Sequence, residues 1–205
     1  FGYHHPYIIY TRYQVDPRWS YKEYSDLEIL NIQTGKRRPV TRKSRYFTPD
    51  IVETVRYRAS EAASGPQNKI SSDVLITAAR LTTGGRSSVD LLDKNGKLLQ
   101  RLVAPPGYIY NYPKFFRLAD GGTSAKKEAE RKLGLLFVIR KPGGRMGIDY
   151  ASVDFDKKSR GKPSLSPVKP LVPLNSQLIA YPVVRDGMLF YTRVDQPLLM
   201  VDNAF

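Results

Sequence analysis

The sequence predicts an all-β fold made of repeated four-stranded antiparallel sheets, and three observations carry that reading. The first is composition. The chain of 205 residues holds 14 Tyr and 8 Phe beside many Val and Ile, with 15 Gly and 15 Pro spread along its length rather than gathered in one linker. Aromatic and β-branched side chains suit a pleated, half-buried surface, and dispersed Gly and Pro punctuate turns. The second is a hairpin pattern that occurs three times. The third is a proline step after each hairpin, at Phe47-Thr48-Pro49, Asn111-Tyr112-Pro113 and Ala180-Tyr181-Pro182. These prolines are 64 and 69 residues apart, and the turn glycines Gly35 and Gly96 are 61 apart. Order and spacing together identify a repeat.

In the first unit, Tyr7-Ile-Ile-Tyr10 is an apolar run that can serve as an inner strand. Tyr24 to Ile32 then alternates in places like a half-buried strand, and Gln33-Thr-Gly35-Lys36 turns it back into Arg37-Arg-Pro-Val-Thr41. In the second unit Val74-Leu-Ile-Thr-Ala78 precedes Ser88-Val-Asp-Leu-Leu92. Asp93-Lys-Asn95-Gly96 is the clearest hairpin turn in the chain, and it returns through Lys97 to Val103. In the third, Leu135-Leu-Phe-Val-Ile139 precedes Gly147 to Phe155, and a long Lys- and Pro-rich stretch at 157–167 leads to Val168-Lys-Pro-Leu-Val172. Met188-Leu-Phe-Tyr191 opens a further unit. The Gly-Gly pairs in Thr82 to Arg86 and Lys141 to Arg145 each join two β-runs, so they read as hairpins and lack the helix that a phosphate loop requires.

Units of this kind are the blades of a β-propeller, in which each four-stranded sheet buries its faces on its neighbours. They are placed at about residues 6–50, 70–115 and 134–182, with the start of another at 183–205. The stretches 52–70 and 117–134 stand as insertions between units. Within the second, Thr123 to Gly134 holds helix formers, an N-cap at Thr123 or Ser124 and a glycine stop, which predicts a short helix.

Composition also excludes chemistry. The chain has no cysteine, which removes disulfides, thiolate catalysis and Cys-ligated zinc. No run approaches the roughly 18 to 20 apolar residues that span a bilayer. The chain starts at Phe1 rather than Met, which points to a fragment of a longer precursor. The two histidines, His4 and His5, are adjacent and so face opposite sides of a strand, which argues against a metal site. No Gly-x-Ser-x-Gly elbow is present. Asp50, Asp90, Asp154 and Asp156 are expected to satisfy turn N–H groups or neighbouring Lys and Arg rather than to do acid–base work. No cofactor is implied.

The net charge of +14 is a footprint for an anionic partner if it is concentrated on one surface. Lys36-Arg37-Arg38 and Arg42-Lys43-Ser44-Arg45 put six cations within ten residues, expected on one rim. Lys126, Lys127, Arg131 and Lys132 form a smaller group. Tyr46 and Phe47 beside the cluster, and the run Tyr108-Ile-Tyr110-Asn-Tyr112, add aromatic contact surface. The candidate partner-binding residues are therefore Arg42, Lys43, Arg45, Tyr46, Phe47, Tyr108, Tyr110 and Tyr112.

Tyr24-Ser-Asp-Leu-Glu-Ile-Leu-Asn-Ile-Gln-Thr-Gly-Lys-Arg-Arg-Pro-Val-Thr41, followed by Arg45-Tyr-Phe-Thr-Pro-Asp50, resembles the TolB-like, WD40-like propeller repeat. In that family a strand ends in an Asp/Asn-x-x-Thr-Gly-Lys turn, leads to Leu-Thr, and reaches a Pro-containing step. Ser88 to Val103 with Tyr112-Pro113-Lys-Phe-Phe116 is similar, and the third unit is less so. The family's Ser-Pro-Asp-Gly turn does not follow Pro49, Pro113 or Pro182. The resemblance implies a non-catalytic scaffold or protein-binding module of a bacterial envelope protein, periplasmic or outer-membrane-associated, with protein partners and no catalytic residue. Two other readings are open: a basic nucleic-acid-binding subunit of a large assembly, and an accessory propeller of a hydrolase.

Overall fold

The computed structural model describes residues 1–16, 19–57, 70–82, 84–117, 133–155 and 163–194. The chain is all-β, and its described residues form four antiparallel sheets taken in chain order. The first holds β1 (Gly2–His4), β2 (Tyr7–Asp16), β3 (Trp19–Asn31) and β4 (Arg37–Pro39). The second holds β5 (Tyr46–Tyr57), β6 (Ile70–Leu81), β7 (Ser87–Asp93) and β8 (Leu98–Val103). In the third, β9 (Ile109–Arg117), β10 (Leu133–Arg140) and β11 (Met146–Phe155) are completed by β12 (Pro163–Leu165) and β13 (Lys169–Asn175), which both pair with β11. The fourth is a ladder of β14 (Leu178–Arg185) and β15 (Met188–Val194).

The sheets stack face to face, and each interface has its own apolar core. Ile9, Leu27, Ile29 and Val40 of the first sheet meet Ile51, Ile76, Ala78 and Leu92 of the second. On the opposite face of that second sheet, Leu75, Val89 and Leu91 meet Tyr110, Leu135, Phe137 and Ile139 of the third. Leu136, Val138 and Ile148 then meet Ile179 of the fourth. Successive strand residues point to opposite faces, so a strand buried on both sides must be apolar throughout. Leu135-Leu-Phe-Val-Ile139 is such a run for that reason. The first strands of consecutive sheets, β1, β5, β9 and β14, lie side by side. Among the described residues nothing joins the first sheet to the fourth, so the stack is open.

The glycine turns form where the spacing predicts them, at Gly35 and Gly96, both at positive φ. At Gly96 the Asp93 carbonyl accepts the Gly96 N–H at 3.0 Å, and the Asp93 carboxylate accepts the Asn95 and Lys97 N–H groups at 2.8 and 2.9 Å. Gly85 and Gly144 likewise close the β6–β7 and β10–β11 hairpins.

The proline steps are placed differently from the expectation. Each lies in a strand that pairs forward, as the first strand of the next sheet: Pro49 in β5, Pro113 in β9, Pro182 in β14. The two expected insertions consequently lie within a sheet, between its first and second strands. Tyr57 pairs with Ile70, and Arg117 with Leu133, so 52–57 and the ends of the second stretch are strand. Gly134 is not a helix stop. It sits in β10 where an added Cβ would come within 2.4 Å of the Phe116 ring. The rest of the helix expected at 123–134 lies outside the described residues, as do the cations at 126, 127, 131 and 132.

Each proline step is also a β-bulge. The residue before the proline has positive φ in all three sheets, 46° at Thr48, 49° at Tyr112 and 51° at Tyr181, and the ladder register slips there each time. Side chains other than glycine rarely adopt this conformation, so the repeat is a repeat of backbone geometry as well as of sequence. The bulge re-aims the preceding side chain out of the sheet.

Candidate functional site

The basic run does not form one patch. Lys36 to Arg38 begin β4 beside the end of β3, where the Asn31 N–H donates to the Lys36 carbonyl. Ser44, by contrast, accepts the Ser25 N–H through its carbonyl at 2.9 Å. Six strand steps separate Asn31 from Ser25, about 20 Å at the rise of a β-strand. The first half of the run therefore sits at the end of β3 and the second beside its middle, and the expectation of a single cationic rim is corrected.

The loop at Arg42 to Arg45 is wound around a buried carboxylate. Asp26 accepts the Lys43 N–H at 3.0 Å, the Ser44 N–H at 2.8 Å and the Ser44 hydroxyl at 2.6 Å. Thr41 adds a hydroxyl at 3.3 Å and itself accepts the Leu27 N–H. Lys43 is at φ 49°, which lets two successive N–H groups converge on one acid. Arg42 and Lys43 project to solvent and Arg45 is half-buried. Nothing in the sequence around Asp26 distinguishes this acid from its neighbours.

Of the aromatic candidates, Tyr46 and Tyr110 are core residues rather than contact surface. The Tyr46 hydroxyl donates to the fully buried Asp90 at 2.8 Å, and the same carboxylate accepts Arg101 twice and the Ser88 hydroxyl once. Burial, followed by the Asp90 charge and hydrogen bond, pushes the Tyr46 phenol up to about 12. Tyr110 packs on Phe137 with ring centroids 4.8 Å apart, and burial raises its pKa. A pair of strands buried on both faces needs large apolar bodies, so these tyrosines face inward. Tyr108 is half-buried with Lys141 5.4 Å above its ring.

Phe47 and Tyr112 stay near the surface, and the bulges bring them into one row. Tyr13 lies 6.4 Å from Phe47, centroid to centroid. The next residue, Thr48, donates its hydroxyl to Asn111 at 3.0 Å and accepts the Tyr112 N–H at 3.2 Å. Tyr112 in turn packs on Tyr181 at 4.8 Å, with a hydrogen bond between the phenols that raises the Tyr112 pKa after burial. The row crosses all four sheets. Thr48, Asn111 and Tyr181 entered the sequence reading only as members of the recurring proline step, which was the signal that would have found them as contact residues.

Beside this row the first strands exchange polar contacts. Asp50 accepts the Phe115 N–H at 2.9 Å and faces Lys114 at 3.4 Å, and Lys114 also donates to the Phe1 carbonyl. His4 stands 3.4 Å from Glu53, and Arg117 donates to the Glu53 carbonyl. Burial raises the Asp50 pKa against the pull of Lys114. Each acid is matched to a cation or an N–H group, the arrangement of structural carboxylates. Among the described residues no group of three or more His, Cys, Asp or Glu could hold a metal.

Compared with protein-family models, with curated proteins and with solved structures, the chain matches none.

Proposed function

We propose that the chain is a non-catalytic interaction module, a segment of a β-propeller whose partner stacks on its fourth sheet. The observation that carries this reading is the outward face of the β14–β15 ladder. Ile179 faces the third sheet, while Leu178, Val183, Met188 and Phe190 point the other way, with Met188 58%, Phe190 50% and Val183 48% exposed. The other end of the stack is finished differently. There Tyr10 donates to Glu28 at 2.8 Å and Arg12 lies 3.5 Å from Glu28, and these groups share the face with the half-buried pair Ile8 and Leu30. A face with charged groups at one end and a more apolar face at the other suits a stack that continues in one direction. The occupant proposed is another antiparallel β-unit with an apolar face, because three interfaces of that kind already occur in the chain.

A protein partner is favoured over nucleic acid because the basic run is split between the end and the middle of β3, about 20 Å apart, which interrupts a cationic track for a phosphate backbone among the described residues. The bacterial envelope setting rests on the resemblance to TolB-like repeats alone. A photo-crosslinking residue at Phe190, compared with the same probe at Tyr10, tests the reading. The expected result is a discrete product from position 190 that maps to an apolar β-segment, and none from position 10. Equal labelling at both positions, or none at 190, overturns it.

A further inference from the structure

We infer that a cleft between the first two sheets binds a small anionic amphiphile, a single phosphate or carboxylate head on an apolar body. The sheets part at the end where their outer hairpins turn and leave a cavity of about 600 Å³. That is within the range of roughly 300 to 1,000 Å³ typical of ligand pockets. Its floor is apolar, formed by Ile29, Ile51, Val74 and the Tyr7 ring. Its mouth is cationic: Lys36 and Arg38 come from the β3–β4 hairpin, and Lys94 from the β7–β8 hairpin. Arg37, beside Arg38 in β4, pairs with Leu30 and lies toward Tyr10 on the other face. The three mouth cations are exposed, and the Arg38 guanidinium donates to the Lys94 carbonyl, which holds the two hairpins together across the opening.

Among the described residues none of these three cations is ion-paired. The nearest acid in sequence, Asp93, spends its carboxylate on the Asn95 and Lys97 N–H groups of its own turn. Glu28 is engaged by Tyr10 and Arg12 on the opposite face of the first sheet. Unpaired cations at the rim of an apolar floor complement a ligand with one charged end and one apolar end, since burial of the body and charge-assisted hydrogen bonds to the head act together. The inference is independent of the partner proposed for the fourth sheet, which lies at the far end of the stack.

Octyl phosphate is the probe, with octyl glucoside and inorganic phosphate as controls, each below its micelle concentration and measured by calorimetry. The expected result is one site for octyl phosphate, at least tenfold tighter than either control. Arg38→Gln and Lys94→Gln should each weaken it about tenfold, whereas Arg42→Gln and Lys43→Gln, in the loop beside the middle of β3, should leave it unchanged. Val74→Trp, which fills the floor and keeps every charge, should abolish it. Flotation with phosphatidylglycerol vesicles separates the sources: co-flotation that depends on Arg38 and Lys94 assigns the head to a membrane lipid, and its absence assigns a free amphiphile. Equal affinity for inorganic phosphate, no binding of octyl phosphate, or binding lost only in the Arg42 and Lys43 variants would overturn the inference.

Discussion

Arg101 grips Asp90 through two parallel hydrogen bonds across the β7–β8 ladder, Nε to Oδ1 at 2.8 Å and Nη2 to Oδ2 at 2.7 Å. Asp90 is fully buried, so its charge has no solvent to fall back on. Removing one partner of such a pair leaves an uncompensated charge, at a cost of about 3–5 kcal/mol. Arg101→Met is expected to lose that much in urea unfolding, and the double change Asp90→Asn with Arg101→Met to recover at least half of it. A loss below about 1 kcal/mol for Arg101→Met would place the pair among weak, screened surface bridges.

Tyr46 donates to the same carboxylate and makes stability fall at high pH. Its phenol titrates near 12 in the folded chain, above the ordinary value of 10. A raised folded pKa gives a contribution that is complete below pH 10 and is lost as pH rises through 12. Tyr46→Phe is expected to cost about 1–3 kcal/mol at pH 8, the value of an unmade hydrogen bond to a buried charge. The difference between the two proteins should shrink between pH 10 and 12, and a constant difference would show that the phenol does not titrate in that window.

Two glycines at positive φ separate backbone strain from steric contact. Gly35, at φ 66°, has nothing within 4 Å of an added Cβ, whereas at Gly96, at φ 82°, a Cβ would stand 2.1 Å from the Val40 carbonyl oxygen of the neighbouring sheet. Gly35→Ala should cost about 1–2 kcal/mol, the left-handed penalty alone. Gly96→Ala pays the same penalty and must also push the first two sheets apart, so thermal unfolding should show a clearly larger loss. Equal losses would mean that the interface yields freely at Val40.

What could be read from the sequence follows the range of the interactions. The Asn95-Gly96 and Gly35 turns are decided by residues within four positions, and both were legible. Leu135 to Ile139 was legible as a strand because burial on two faces leaves a continuous apolar run. The pairing of the Pro49 strand was not, since the choice between closing the preceding hairpin and opening the next sheet depends on Tyr57 meeting Ile70 across an intervening stretch. Tyr46 and Tyr110 read as contact surface because exposure is a property of the stack, and only the stack places them between sheets. Asp26 is one acid in a mixed strand until the loop at Arg42 folds back over it.

Thr48 keeps an unfavourable backbone conformation and joins two bulges through one hydroxyl. That hydroxyl donates to Asn111 and accepts the Tyr112 N–H. Thr48→Val keeps shape and β-branching and removes both bonds, but the Tyr112 N–H still donates to Asn111 Oδ1 at 2.9 Å, so the loss should be that of a replaceable hydrogen bond, about 0.5–1.5 kcal/mol. Thr48→Ser keeps the hydroxyl and relaxes the β-branch at φ 46°, so its stability should equal or exceed that of the parent. If Val and Ser behave alike in urea unfolding, the hydroxyl bridge contributes nothing and the bulges are held by packing alone.

Asp50 sets an opposite pH trend from the usual structural acid. Its carboxyl is held above the ordinary range by burial first, with Lys114 and the Phe115 N–H pulling the other way. Because the folded pKa is raised, the contribution is complete below the unfolded value of about 3.9 and is lost as pH rises through the folded pKa. Relative to Asp50→Asn, which does not titrate, the parent chain should gain stability as pH is lowered from 7 toward 4. The comparison is made as a difference between the two proteins at each pH, so that contributions common to both cancel. A parent that instead loses stability over this interval would show that Lys114 and the Phe115 N–H outweigh desolvation, and that the acid between the first strands of the second and third sheets acts as an ion pair first and a buried group second.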